Sequence, residues 1–171
     1  MEKIKLSFGS FEAKRSHKSG FTLIEILVVI GIIAVLAGIV IIAVNPTKQF
    51  AQGRNTDRTS GVTSILNAIG QRMADNKGIF AGTFGSYTCP ALPTTATNIS
   101  STSGDVNLSC LYPTYLPTSI PVDPTDGVWT DATNYNTKYT VKVDSIGRVT
   151  VCAPEGAEIS IPGSTAICIT R

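Results

Sequence analysis

Histidine is nearly absent from this chain: the single one, His17, stands close to the start, and nothing after it can supply an imidazole. A zinc site built on histidine and a Cys-His nucleophile are therefore disfavoured over more than 150 residues. The four cysteines have no CxxC spacing, no pair of carboxylates falls at a catalytic motif spacing, and there is no phosphate-binding glycine loop, so an enzyme is not expected. Charge is scarce too, at 15% Asp, Glu, Lys and Arg, and it is unevenly placed. Between Phe21 and Val44 the only charged residue is Glu25.

What is there begins with that run. Its 24 residues would make a helix about 36 Å long, enough to cross a bilayer. They are mostly Ile, Val, Leu and Ala, interrupted by Gly31 and Gly38, and apolar on every face, so no stripe is reserved for a soluble core. Before it, Lys3, Lys5, Lys14, Arg15 and Lys18 outnumber Glu2 and Glu12, a leader that the positive-inside rule keeps in the cytoplasm. Removing residues 1–20 would leave nine basic against ten acidic groups, so the basic excess belongs to the leader. The remaining Arg and Lys are interspersed with acids and make no broad nucleic-acid footprint.

An ordinary secretory signal puts its small cleavage-site residue after the apolar stretch. Here Gly20 comes before it. The sequence Gly20-Phe21-Thr22-Leu23-Ile24-Glu25, with a basic leader ahead and the apolar run behind, resembles the class III signal of type IV prepilins and of type II secretion pseudopilins. The resemblance covers about residues 14–78. It implies cleavage between Gly20 and Phe21 by a prepilin peptidase, which also methylates the new Phe21 amine from S-adenosylmethionine. It further implies roles for Glu25 and Thr22 in assembly and register. Physically, cleavage would create an α-amino group with a pKa of about 8, a cation that a neighbouring copy's Glu25 could meet inside a helical bundle. A carboxylate in a membrane helix is generally kept for such a partner.

The expected partners are therefore copies of the chain itself in a homopolymer or mixed pilin filament, the prepilin peptidase, and an inner-membrane assembly platform, with no small-molecule substrate. Nucleic acid would enter only for a DNA-uptake pilin. The expected location is the inner membrane as a single-pass protein before assembly, then an extracellular pilus or a pseudopilus in the cell envelope. A membrane-tethered extracytoplasmic binding module is the alternative of a different class; it would need neither the cut nor Glu25.

The expected fold class is α+β, a long N-terminal helix on a small antiparallel sheet. Its divisions are a leader at 1–20, a membrane and filament-core helix at 21–45, an amphipathic helix at 46–78, and a loop-rich, disulfide-supported sheet domain at 79–171. Gly38 and Pro46 mark a weak or kinked stretch, since Pro46 lacks a donor and biases Asn45 away from helical geometry. Val62, Ile65, Leu66, Ile69 and Met73 form an apolar stripe. Asp57, Arg58, Asn67, Gln71, Arg72 and Asp75 are assigned to the polar face, Gly78 to the stop, and Gly53 and Gly61 to weak points.

Cys89, Cys110, Cys152 and Cys168 are even in number on the exported side and allow three pairings. Cys89 with Cys110 and Cys152 with Cys168 is favoured because short loops close more easily. Residues 79–136 are dense in Gly, Pro, Ser and Thr, with 94–104 the most loop-like, and Asn98 and Asn107 match the glycosylation acceptor pattern. Alternation at Tyr139, Val141 and Val143, a turn at 144–147, then Val149 and Val151, predict a hairpin. A second strand pair is expected from Glu158–Ile161 and Ala166–Thr170, turned at Pro162-Gly163. No cofactor is expected; Asp123, Asp126 and Asp131 are weak calcium candidates in a loop without EF-hand spacing. Pro121-Val122-Asp123-Pro124 resembles a turn of several pseudopilins, whereas the C-terminal cysteine pair resembles that of pilins.

Overall fold

The computed structural model describes residues 20–43 and 45–171. The basic residues of the leader lie outside the described residues, as does Val44. The chain divides into two compact units that meet at Val44 and Asn45, and its class is α+β.

The first unit contains one helix, α1 (Leu23–Ala43), of 21 residues. At 1.5 Å per residue it is about 31 Å long, close to the hydrocarbon thickness of a bilayer. Every side chain from Phe21 to Ile41 is exposed. Leu23–Ile41 is long and apolar enough to cross a membrane by length and composition. Gly31 and Gly38 do not interrupt the helix, and a Cβ at either would meet nothing.

The second unit opens with α2 (Pro46–Asp75), 30 residues long. Asn45 caps it, its Oδ1 accepting from the Lys48 amide at 3.3 Å, and Pro46 takes the first helical position, where its missing N–H costs nothing. Gly53 and Gly61 lie inside an unbroken helix. It stops at Asn76; Gly78, at φ 86°, donates its amide to the Met73 carbonyl at 2.7 Å, the left-handed closure that glycine allows.

Strands β1 (Gly82–Phe84) and β2 (Tyr87–Cys89) form a small hairpin. A second, five-stranded antiparallel sheet is built from β3 (Thr97–Ser100), β4 (Val128–Asp131), β5 (Asn134–Val143), β6 (Val149–Ala153) and β7 (Ile167–Thr170). Its main path runs β3-β5-β6-β7, with β4 also paired to β5. Tyr135, Tyr139 and Val141 of β5 and Val149 and Val151 of β6 are buried with the α2 stripe of Val62, Ile65, Leu66 and Ile69 in one core. The period-two alternation of the strands thus meets the 3.6-residue period of the helix.

Three expectations are corrected here. Arg58 and Arg72 are not on the polar face of α2: they are 2% and 1% exposed. They sit four residues before Val62 and three after Ile69, at the two ends of the buried stripe, and each finds polar partners inside. The stretch at 94–104 is not simply loop; it carries β3, in which Thr97, Asn98 and Ser100 pair with β5 while Ile99, fully buried, falls at a shift in register and bridges to Val106. The second strand pair does not form. β7 pairs with β6, placing Cys168 directly opposite Cys152, while Glu158–Ile161 turns away because the Glu158 carboxylate is drawn to arginines of α2.

Candidate functional site

At the start of α1, Thr22 and Glu25 lock onto each other. The Glu25 amide donates to Thr22 Oγ1 at 3.3 Å, and the Thr22 amide donates to Glu25 Oε2 at 2.7 Å. Thr22 Oγ1 also donates to that oxygen at 2.8 Å. This is a capping box: two helix-end amides that have no partner within the helix are satisfied reciprocally. The pattern Thr-x-x-Glu was visible in the sequence and signals it. Both contacts made by the carboxylate use Oε2, and both come from the residue next to Phe21. The only charge of the apolar run is therefore fixed on the residue that follows the one whose nitrogen cleavage would turn into a cation.

Phe21 is 85% exposed, and Gly20 is exposed as well. A Cβ placed on Gly20 would meet nothing within 4 Å. The fold of this chain thus makes no demand for glycine at position 20.

In the second unit the site residues are held by three kinds of anchor. Cys89 is bonded to Cys110 and Cys152 to Cys168, the pairing favoured by the short-loop argument. The first ties the β1–β2 hairpin to the segment at Ser109–Leu111, and the second ties β6 to β7.

The second anchor is an ion network that the sequence did not announce. Arg58 Nε donates to Asp123 Oδ2 at 2.7 Å and its Nη2 to Asp123 Oδ1 at 3.2 Å, while Nη1 reaches Glu158. Arg54 makes a second, two-pronged contact to Glu158, at 2.7 and 2.6 Å. One turn of helix thereby holds loops 65 and 100 residues away. Hydrogen bonds from Arg54 and Arg58 pull the Glu158 carboxyl down to about 2. Burial pushes the Asp123 carboxyl up, but the Arg58 guanidinium and the Thr125 and Asp126 amides outweigh it, leaving the group below its usual value.

The third anchor is Arg72. Its Nε donates to the Phe80 carbonyl at 3.0 Å and its Nη2 to that of Gly82 at 2.8 Å, and the guanidinium lies 5.8 and 5.0 Å from the rings of Phe80 and Phe84. Carbonyl oxygens and aromatic faces stand in for a carboxylate, since Arg72 makes no ion pair among the described residues.

The acidic loop takes part in these contacts. Asp123 is committed to Arg58, and Asp131 accepts from the Thr133 amide at 2.7 Å and its hydroxyl at 2.6 Å. The Asp126 amide reaches Asp123 Oδ1 at 3.4 Å, and no group of three His, Cys, Asp or Glu suited to a metal occurs among the described residues. The Pro121–Pro124 turn presents Asp123 inward to Arg58. Of the two glycosylation patterns, Asn98 has its amide donated to Asp105 and Asn136, whereas Asn107 is exposed.

Residues 15–41 match the family model described as the prokaryotic N-terminal methylation motif, the hallmark of type IV pilins and pseudopilins. Comparisons with curated proteins and with solved structures give no match.

Proposed function

We propose that this chain, a type IV pilin-like or pseudopilin protein by its N-terminal motif, is the structural subunit of a type IV pilus filament. Prepilin peptidase removes residues 1–20 and methylates Phe21. The α1 helix holds the subunit in the inner membrane and then, with help from the assembly platform, moves into the filament core. The observation that carries this reading is α1 itself: an apolar helix with every described side chain exposed from Phe21 to Ile41, and one carboxylate, Glu25, fixed at its start. Such a surface needs lipid or other apolar helices around it, and a filament core supplies the second after the membrane has supplied the first.

The turn at Pro121–Pro124 resembles a feature of several pseudopilins and supports the second reading, a type II secretion pseudopilin, whereas the C-terminal cysteine pair, Cys152 with Cys168, resembles that of pilins. The test is the mass of the N-terminal peptide in a sheared surface-filament fraction. A peptide beginning at methylated Phe21 is expected there. Absence of the chain from that fraction, with its leader still attached in the membrane, would overturn the reading and leave a tethered binding module; processed chain held in the envelope would make it a pseudopilin.

A further inference from the structure

Ile159 is 101% exposed, as complete an exposure as a side chain can have. Single exposed apolar residues are ordinary on protein surfaces. Here, however, the backbone that carries it is braced. Glu158, the residue before it, is gripped by Arg54 and Arg58, its amide donates to the Gly156 carbonyl at 2.9 Å, and its carbonyl accepts from Ser164 Oγ at 2.7 Å. The loop is anchored on both sides and still points an isoleucine into solvent.

Further along α2 lies a groove of about 520 Å³. Met73, half-buried, and Ala74, exposed, give it accessible apolar surface, and the nearly buried Leu66, Ile69 and Val149 lie beneath. Gly70 leaves its side open, for a Cβ there would meet nothing within 4 Å. Ile146, 74% exposed, stands on the adjoining turn.

Charge matches the two features. Glu155 lines the same hollow as Ile159, where Arg54 and Arg58 are already paired with Glu158, and Arg171 lines the groove. Neither makes an ion pair among the described residues; Arg171 reaches only the neutral amide oxygen of Asn67. A carboxylate without a counterion beside the apolar knob and a guanidinium without one beside the apolar groove are complementary.

We propose that the occupant of the groove is a second copy of this chain: Ile159 of one subunit seats between α2 and β6 of the next, with Glu155 facing Arg171. The inference rests on the filament reading above and specifies a contact between folded domains that the N-terminal motif does not address. Knob and groove lie at the levels of residues 54–58 and 66–74 of α2, about 20 Å apart along one helix, so they cannot meet within a subunit. Each copy that offers its knob keeps its own groove free. A contact of this head-to-tail kind, repeated without closing, builds a helical array.

The experiment places a photoreactive benzoyl-phenylalanine at position 159 of the full-length chain, and assembles it from mixed unlabelled and nitrogen-15 copies. Cross-linked peptides are read by mass in sheared filaments. The expected product joins position 159 to Leu66–Ala74 or Val149 in mixed-isotope pairs. Without the photoprobe, Glu155→Arg and Arg171→Glu each lower filament yield several-fold, and the two together restore it. Filaments whose cross-links map elsewhere, or charge reversals that do not rescue one another, overturn the contact while leaving the pilus subunit intact. A parent chain that never enters filaments sinks both.

Discussion

The two long helices of this protein solve opposite problems. α1 buries none of its described side chains and satisfies its one charge with its own first turn. α2 buries nine residues, two of them arginines, and satisfies those charges with groups outside the helix, 65 and 100 residues away for Arg58 and 8 and 10 residues away for Arg72. The stability of α2 is thus internal to the second unit, where packing decides which positions matter. The environment of α1 has to be supplied from outside, by lipid or by other copies. A substitution in α1 should therefore act on assembly, and a substitution in the buried face of α2 on folding.

The largest effect that would sharpen this division is expected from Glu25→Ala. Loss of the carboxylate removes the capping contact and the only anion available to a Phe21 amine, so filaments should fall to background in the sheared fraction. Precursor should remain in the membrane, and both disulfides of the second unit should still form. Normal filament yield would break the comparison at its first step.

Arg58→Ala should act the other way. It leaves Asp123, 1% exposed, with its charge buried and its main partner gone, a kind of change that costs about 3–5 kcal/mol. Urea unfolding of the detergent-solubilised chain would read it. Replacing both partners, as Arg58→Met with Asp123→Leu, should recover much of the loss, because the penalty comes from the orphaned charge rather than from the missing pair.

A matched pair of glycines gives a finer contrast. At Gly61 of α2 an added Cβ would lie 3.0 Å from Tyr139 Oη and 3.3 Å from Pro121 Cβ. Gly61→Ala should then cost about 1–3 kcal/mol in the same unfolding measurement, by overpacking. At Gly38 of α1 the same substitution meets nothing in the chain. Gly38→Ala should leave unfolding of the second unit unchanged, and any effect should appear as altered filament yield.

Much of this division could be read from residues alone. The apolar run, Glu25, the stripe from Val62 to Ile69, the hairpin ending in Val149 and Val151, and the cysteine pairing all follow from periodicity and loop length. Arg58 and Arg72 defeat a reading by residue type, because their positions on the helix, not their charge, decide where they lie. Their spacing already puts them on the stripe, but only partners outside the helix, Asp123 for Arg58 and the Phe80 carbonyl for Arg72, make burial tolerable, and such partners have no fixed offset in sequence. β3 was hidden for a related reason. Thr97, Asn98 and Ser100 are residues of loops by composition, and Ile99 alone could not signal a strand that is held by pairing with β5. The turn at Glu158 likewise depends on a helix a hundred residues earlier.

The smallest expected effect comes from acid, and it tests the same network without altering a side chain. Glu158 and Asp123 both titrate below their ordinary values in the folded chain, Glu158 at about 2. The unfolded chain therefore binds more protons than the folded one once pH drops below about 5, and stability contributed by these groups is present above that point and declines as pH falls toward 2. Unfolding followed from pH 7 to 3 should show this decline in the parent chain. In Glu158→Gln the slope should flatten, since one of the groups whose affinity for protons changes on folding has been removed. Filaments already formed should not follow the same curve if α1 is held by other copies of itself. Loss of the second unit's structure in acid, with α1 still helical and assembled, would be the clearest separation of the two helices, whereas simultaneous loss would mean that the outer domains and the core stand or fall together.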